Sequence, residues 1–338
     1  MEKILTSLCK SGTVSGNELV DLEVIKQLLP NAKIETDYNN NIIATIGNTN
    51  SDDVILLDAH NDRIGFVVSY IDDEGFIKVS TCGGIDRRVL LGSEVTVIGK
   101  KLLNGIICCL PPHLSDGGED KAPSADSIYI DTGLSKAELE NIVTLGDNVI
   151  VNSTPKRLIG TRFTAGSLDN KAGVAALIRV AELLKDKELN SCIKILLSSQ
   201  EETGFLGSRT ASFAIKPSCA IVVDVSFAAQ PTVSPEKCGE LSKGPMIGFA
   251  PILDREMFNA LKAIAQQNDI PYQLEIMSST TGTNADAITT TASGIRTALL
   301  SIPLRNMHTQ AEVVDMADIE KTAELIALYI EKRGAENE

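Results

Sequence analysis

The sequence predicts an α/β protein with a mostly parallel central sheet, helices on both faces of that sheet, and an inserted small β-rich domain. In the first part of the chain and again in its second half, short apolar runs alternate with segments of helical periodicity. From Phe66 to about Phe163 the chain instead carries short β-rich runs separated by turns. We therefore expect residues 1–65 and 164–338 to form one domain, and residues 66–163 to form a β-barrel-like domain inserted into it.

Composition limits the partners that the chain can have. Its 338 residues are enough for two domains with a substantial core, and 45 acidic against 31 basic residues give a net charge of −14. This negative field repels phosphate backbones and anionic membranes, so neither nucleic acid nor a membrane is an expected partner. It suits a site that gathers metal cations.

The cysteines and the apolar runs indicate a cytoplasmic protein. Seven cysteines without a C-x-x-C pair are typical of neither a disulfide framework nor a zinc ribbon, so we expect a reducing compartment. No stretch approaches the ~20 apolar residues that a membrane-spanning helix needs, and the N-terminus has no apolar core of a signal peptide.

The first 65 residues alternate between helical and strand patterns. Apolar residues at helical spacing predict a helix over Ser15–Leu29 that stops at Pro30. Short apolar runs then predict strands over Lys33–Glu35, Asn41–Ile46 and Val54–Leu57, the last of them buried.

The inserted stretch starts with a hairpin. Strands over Phe66–Tyr70 and Phe76–Val79 flank the turn signal of residues 72–75. Three further strands are predicted, and the sequence between two of them is a polar loop: Val95–Ile98, Gly105–Leu110, Asn148–Val151, and the loop Ser115–Asp126.

The second half returns to alternation of strands and helices, which favours a parallel sheet. The predicted strands are Ile193–Leu197, Ile221–Val223 and Thr297–Ile302, and the predicted helices are Asp169–Leu184, Arg255–Gln267 and Ala317–Arg333.

Residues able to bind a metal follow the ends of these strands. They are His60, the pair Glu201-Glu202, Asp224 and His308, with Asp169 at the start of the helix after Gly166. Ligands of open α/β sheets bind outside the carboxyl ends of the strands, so these side chains are expected to converge on one crevice.

Each of these residues also has an ordinary explanation. A single histidine after a strand is often a hydrogen-bonded core residue, Asp169 could be a helix N-cap, and Glu201-Glu202 could be a solvated turn. Five such positions in one predicted crevice are much harder to explain in this way.

Mixed imidazole and carboxylate ligands suit Zn²⁺, with Co²⁺ or Mn²⁺ as replacements. A shared carboxylate, Asp169, is expected to bridge two ions. The predicted donor sets are His60, Asp169 and Asp224 for one ion, and Asp169, Glu202 and His308 for the other.

Neighbouring residues on extended backbone point in different directions, so the two glutamates are expected to have different roles. We assign Glu202 to the metal and Glu201 to proton transfer as a general base. Asp62, two residues after His60, is expected to hold the second nitrogen of that imidazole.

Asp58–Phe66 reads DAHNDRIGF and resembles the DAHMDEIGF segment of the dinuclear-metal aminopeptidases of the glutamyl, leucyl and deblocking type, also called tetrahedral aminopeptidases. Further matching segments follow in order along the chain: Val89–Gly92, Pro111–Leu114, Ser167–Gly173, Ser199–Gly204, Val222–Val225, Gly282–Ala287 and Ser301–Thr309.

The resemblance implies a metalloaminopeptidase that removes N-terminal residues from short peptides with water activated by two divalent ions. Its ligands fall on His60, Asp169, Glu202, Asp224 and His308, its proton-transfer residue on Glu201, and its histidine-orienting residue on Asp62. It also implies an inserted β domain, for which we expect a role in dimerisation and substrate access, and assembly into a hollow dodecamer.

Three positions depart from the family pattern. Asn61 and Arg63 replace the usual Met and Glu beside Asp62, and Asn284 stands where the family often has Asp. No proposed ligand is lost. A cation at position 63 would alter which N-terminal side chain is accepted, unless these are neutral changes at supporting positions.

Two other interpretations remain. One is a metal-dependent hydrolase of another class, such as a glycan-cleaving, endoglucanase-like enzyme, although only 4% of the residues are aromatic and carbohydrate stacking is poorly supplied. The other is a non-catalytic assembly protein that retains the fold. His113, the third histidine, is expected to have a structural role at a subunit contact.

Overall fold

The computed structural model describes residues 1–12, 14–111, 114 and 122–336, whose strands form one large sheet and one closed barrel. The strands are β1 Lys33–Thr36, β2 Ile42–Gly47, β3 Val54–His60, β4 Gly65–Ile71, β5 Ile77–Cys82, β6 Glu94–Ile98, β7 Leu102–Ile107, β8 Tyr129–Asp131, β9 Asn148–Val151, β10 Lys156–Arg157, β11 Arg162–Ala165, β12 Cys192–Ser198, β13 Cys219–Phe227, β14 Met246–Phe249, β15 Gln273–Ile276, β16 Thr297–Arg305 and β17 Glu312–Asp315. The helices are α1 Glu2–Leu8, α2 Leu22–Leu28, α3 Lys136–Leu139, α4 Leu168–Leu184, α5 Leu206–Ile215, α6 Arg255–Gln267, α7 Asn284–Thr289 and α8 Met316–Glu336.

The large sheet has the strand order β1-β2-β12-β3-β13-β16-β17-β11-β10, with β14 and β15 branching from β16. Its central strands β12, β3, β13 and β16 are parallel, and antiparallel strands extend it on both sides. The predicted α/β fold with an inserted β-rich domain is confirmed.

Both faces of the central strands are buried. In β3, Ile55 and Leu57 face the larger core, which includes residues of α1, α4, α6 and α8, whereas Leu56 faces a second core shared with α5 and α7. This alternation explains why the central strands read as continuous apolar runs in the sequence.

The inserted β-rich stretch closes into the six-stranded barrel β4-β5-β8-β7-β6-β9, with its own apolar core. Phe66, Ile77 and Val149 are fully buried in that core. The hairpin formed by β10 and β11 pairs with β17 and so belongs to the large sheet. The division of the chain at 65/66 and 163/164 stays a prediction.

The predicted helix over Ser15–Leu29 is too long. The α-helix begins only at Leu22, after a 3₁₀ turn over Glu18–Asp21. Gly16 has a left-handed φ of 93°, and the Ser15 hydroxyl donates to Asp62. Ser15 and Gly16 therefore form a turn that contacts Asp62, and they are not part of a helix.

Four of the described helices were not predicted from the sequence: α1, α3, α5 and α7. The predicted polar loop Ser115–Asp126 and the structural role of His113 lie largely outside the described residues. Among the residues that are described, no helix combines the length and the apolar character needed to cross a membrane.

Candidate metal centre

The predicted site residues come together at one edge of the large sheet. His60 is the last residue of β3 and pairs in register with Ser198, the last residue of β12, so Glu201 and Glu202 follow on the turn beside it. Asp58 pairs with Val222, which places Asp224 of β13 level with His60. The parallel register therefore aligns side chains that are far apart in the sequence.

Asp169 lies between the two histidines. One carboxylate oxygen, Oδ1, is 3.1 Å from His60 Nε2, and the other, Oδ2, is 3.3 Å from His308 Nε2. Asp224 Oδ1 lies 3.6 Å from His60 Nε2, and Glu202 Oε2 lies 3.7 Å from His308 Nε2. This is the arrangement that a bridging carboxylate requires.

Two donor groups result, each with its ligand atoms within 4.8 Å of one another: His60, Glu201 and Asp224, and Asp169, Glu202 and His308. The second group is the predicted donor set for one ion. In the first, Glu201 Oε2 is 3.9 Å from His60 Nε2, close to the distance of Asp224. Glu201 therefore faces the centre from the same side as the donors of the first ion.

Both imidazoles are oriented by a carbonyl. His60 Nδ1 is 3.1 Å from the carbonyl oxygen of Asp62, and His308 Nδ1 is 2.7 Å from that of Gly84. With Nδ1 donating to a carbonyl, each ring directs the lone pair of Nε2 toward the carboxylates when it is deprotonated.

The centre contains four carboxylates, and its two imidazoles cannot balance their charge even when both are protonated. Burial raises the pKa of Glu201 to about 9 and that of Glu202 to about 8. A hydrogen bond to Asp169 raises the pKa of His308 to about 9. Glu202 Oε1 is buried with no hydrogen-bond partner among the described residues. A buried set of crowded carboxylates and two imidazoles fits divalent cations.

The carboxylate of Asp62 does more than the sequence indicated. It lies 3.5 Å from His60 Nδ1, farther than the backbone carbonyl of the same residue. Its Oδ1 accepts the backbone N–H of Glu201 at 3.0 Å, and its Oδ2 accepts that of Glu202 at 3.2 Å. The Ser15 hydroxyl donates to Oδ2 as well. Asp62 thus fixes the turn that carries both glutamates.

Glu312 was not predicted from the sequence, although it supports two of the predicted ligands. Its Oε1 accepts the backbone N–H of His308 at 2.9 Å, and its Oε2 accepts that of Asp169 at 3.1 Å. The side chain is buried, and burial raises its pKa to about 8. It begins a short strand just beyond the matched segment that ends at Thr309, where no pattern marked it.

The centre lies in the wall of a cavity of about 420 Å³. Apart from the two histidines and four carboxylates of the centre, the described residues that line it include Phe205, Phe227, Glu275, Ser226 and Ser301. The cavity is therefore acidic at the metal centre and mixed apolar and polar beyond it.

A sequence profile described as M42 glutamyl aminopeptidase matches residues 40–325 of this chain. The chain belongs to the M42 family. The lysyl aminopeptidase of Pyrococcus furiosus is 32% identical over 98% of this chain and 96% of its own length. The chain is accordingly an enzyme of the aminopeptidase class, which hydrolyses peptide bonds.

Solved structures agree with this membership. The TET aminopeptidase of a marine-sediment Thaumarchaeota archaeon has a TM-score of 0.92 at 26% identity and covers 99% of this chain and 96% of its own. The TET1 peptidase of Pyrococcus horikoshii, which assembles into a tetrahedron or a large octahedral shell, has a TM-score of 0.87 at 29% identity, with 96% and 98% covered. An endoglucanase of Thermotoga maritima has a TM-score of 0.78 at 27% identity, with 98% and 97% covered.

The departures from the M42 pattern at positions 61 and 63 lie beneath the centre. Arg63 is only 5% exposed and is absent from the cavity lining, so its cation does not face a substrate there. Asn61 is buried, and its side-chain and backbone oxygens each accept from Lys171 Nζ at 2.7 Å. Lys171 also donates to Asp21 at 2.5 Å. Asn61 thus belongs to a buried polar network that supports the strand end at His60.

Asn284 is also buried below the centre. Its amide donates to Asp58 Oδ2 at 2.9 Å and to the Ser198 hydroxyl at 2.8 Å. Burial raises the pKa of Asp58 to about 7. An aspartate at position 284 would set a second carboxylate against Asp58, whereas the asparagine of this M42 chain supplies a donor.

Proposed function

We propose that this chain is a metal-dependent aminopeptidase that removes N-terminal residues from short peptides, with two divalent ions per subunit. The observation that carries the proposal is the position of Asp169, whose two oxygens face His60 and His308 separately. Membership of the M42 family supports the peptide substrate.

The residues that would hold the ions are His60, Asp169 and Asp224 for one, and Asp169, Glu202 and His308 for the other. Zn²⁺ or Co²⁺ suits these donors, with Mn²⁺ as a further possibility. When bound, the two ions would supply positive charge that polarises a scissile carbonyl and acidifies water.

Glu201 is the proposed general base. Its side chain lines the cavity and keeps 11% of its surface exposed, so solvent and substrate can reach the carboxylate. Its backbone N–H donates to Asp62, which fixes the backbone from which the carboxylate reaches the centre. From there it would take a proton from the attacking water and later donate it to the leaving amine.

Replacing Glu201 with Gln tests this assignment. Loss of the base should lower kcat by roughly 10²- to 10⁴-fold, with both ions still bound. Turnover of aminoacyl substrates and metal content per chain are measured on the purified variant, with Glu188→Gln, an exposed position after α4, as the matched control. Retained turnover would rule out the base, and loss of one ion would make Glu201 a ligand.

The alternative of a glycan-cleaving enzyme is supported only by the endoglucanase label of similar solved structures, and the geometry of the site argues against it. Glycosidases place two carboxylates about 5–5.5 Å or 6.5–9.5 Å apart across a sugar bond. Here the carboxylates crowd around two imidazoles with ligand atoms within 4.8 Å of one another in each group. The intact set of donors likewise argues against a non-catalytic assembly protein.

We also propose that the chain forms a homo-oligomer, with a tetrahedral dodecamer as the specific prediction. The support is the assembly of the TET1 peptidase into a tetrahedron or an octahedral shell. The barrel is the proposed dimerisation and substrate-access domain. A cytoplasmic location stays a prediction, supported by seven cysteines that are all unpaired.

A further inference from the structure

Glu275 is an acidic residue of the cavity that the proposed mechanism does not use. It lies on β15 and lines the same cavity as the metal centre. Both of its oxygens accept hydrogen bonds from serine hydroxyls: Oε1 from Ser226, and Oε2 from Ser301 at 2.6 Å. The two hydrogen bonds fix the position of the carboxylate in the cavity wall.

The two serines relate Glu275 to the metal centre by strand geometry. Ser226 follows Asp224 by two residues on β13, so both face the same side, about 6.6–6.8 Å apart at the usual rise of a strand. Ser301 pairs directly with Asp224 on the neighbouring strand β16, about 4.8 Å away. Glu275 therefore lies within one long side chain of Asp224.

The cavity that contains both carboxylates also has apolar lining for the stem of such a side chain. Phe227, which is 53% exposed, and Met307 line the same cavity with apolar side chains. Lys and Arg side chains bury their methylene stems along apolar surface and keep the charged end at a polar group. A lysine or arginine side chain bound beside the metal centre would therefore be long enough to bring its charged end to Glu275.

Glu275 is the one acidic residue of the described cavity lining that does not belong to a donor group, so its charge is available to a substrate. Among the described residues that line the cavity, five are acidic, and four of these belong to the two donor groups. Two divalent ions would neutralise those four. The described lining contains no lysine or arginine, so Glu275 would remain the uncompensated charge.

We propose that Glu275 makes this enzyme select peptides whose N-terminal residue is basic, lysine or arginine. The proposal rests on the proposed aminopeptidase function and names its substrate class. An acidic N-terminal side chain would place a second carboxylate against Glu275 without a cation to separate them, so glutamyl peptides are expected to be the poorest substrates.

The experiment compares kcat/KM for lysyl, norleucyl and glutamyl substrates with the ion-loaded enzyme. Norleucine has the unbranched four-carbon stem of lysine without the ammonium group, so the lysyl-to-norleucyl ratio isolates the charge. We expect lysyl substrates to exceed norleucyl ones by at least about tenfold, and Glu275→Gln to abolish that advantage. Glu275→Arg should move the preference toward glutamyl substrates, and Glu188→Gln, the charge-matched control, should leave the ratio unchanged.

The outcomes separate the two proposals. Hydrolysis of norleucyl or glutamyl substrates with no preference for lysine overturns the role of Glu275 and leaves the aminopeptidase function intact. A Glu275→Gln variant that loses activity equally on all three substrates also overturns it, because a purely structural residue does not change the ratio. No hydrolysis of any N-terminal residue with zinc, cobalt or manganese overturns both proposals.

Discussion

Replacing Asp62 with Asn is expected to weaken one half of the metal centre more than the other. The carboxylate accepts from three donors: the backbone N–H groups of Glu201 and Glu202, and the Ser15 hydroxyl. An asparagine keeps the shape of the side chain but turns one acceptor oxygen into an NH₂ donor. The orientation that the amide adopts decides which glutamate loses its partner.

The structure favours one orientation. An NH₂ group in place of Oδ1 would face two donors, the backbone N–H of Glu201 and the protonated Nδ1 of His60, so it would have no acceptor. In place of Oδ2 it would face the N–H of Glu202 but could donate to the Ser15 oxygen. The second orientation loses a single acceptor, that of Glu202 N–H.

The expected cost is that of one buried donor left without a partner, about 1–3 kcal/mol of unfolding free energy. Because Glu202 belongs to the donor group with Asp169 and His308, the same loss should appear in the affinity for one ion. Replacement of residues that orient metal ligands typically lowers metal affinity or activity about 10- to 100-fold. Turnover at saturating metal should fall less than in Glu201→Gln, because Glu201 keeps its partner.

Isothermal titration of metal-stripped protein measures the affinity for each ion, and urea unfolding of the same protein measures stability. The matched control is Asp52→Asn, an exposed position in the loop before β3. Two results would refute the reasoning. One is unchanged affinity for both ions. The other is a loss of turnover at saturating metal as large as that of Glu201→Gln, which would mean that Asp62 acts chiefly through Glu201.

Two further predictions follow from the buried acids. Burial raises the pKa of Glu202 to about 8, and the hydrogen bond between His308 and Asp169 raises the pKa of His308 to about 9. Zinc binding to the metal-free protein at neutral pH should therefore release protons, and the affinity for zinc should increase as the pH rises. Calorimetry of zinc binding in buffers of different ionisation enthalpy detects the released protons, and equal binding heats in all buffers would contradict the prediction. In the metal-free protein, both raised pKa values also mean that the folded state loses stability as the pH rises toward 9. Asn284→Asp should set two buried carboxylates against each other at Asp58, so that unfolding free energy falls as the pH rises through neutrality. Urea unfolding in mildly acidic and mildly alkaline buffer tests this, and a difference no larger than that of the unsubstituted enzyme would count against it.

Much of the fold could be predicted from the sequence because the buried strands appear there as short, continuous apolar runs. β3, β12, β13 and β16 are apolar on both faces, and the helix Arg255–Gln267 was predicted with the bounds that the structure has. The convergence of His60 and Asp224 follows from parallel register, which a sequence of strand–helix units already implies. The individual roles assigned to these residues stay predictions.

The sequence did not reveal the residues that support the site indirectly, through hydrogen bonds to the ligands' backbone or to Asp62. Glu312 accepts from the backbone N–H groups of Asp169 and His308, and the first of these is 143 residues away. The Ser15 hydroxyl donates to the carboxylate of Asp62, 47 residues away, and neither residue lies in a metal-binding pattern. Lys171 is different, because a lysine on the Ala-rich stretch of a buried helix was a visible signal. Its partners Asp21 and Asn61 are 150 and 110 residues away, so only the fold identifies the network.

The place where the barrel is inserted makes it part of the metal centre. The chain enters the barrel at Gly65, five residues after His60, and returns to the large sheet through β10 and β11, which ends at Ala165, four residues before Asp169. The loop after β5 comes back to the site, where the Gly84 carbonyl lies 2.7 Å from His308 Nδ1. Because this contact orients the Nε2 lone pair, a shift of the barrel relative to the sheet would turn a proposed ligand away from its ion. The proposed assembly through the barrel would therefore also hold the Gly84 carbonyl in place against His308.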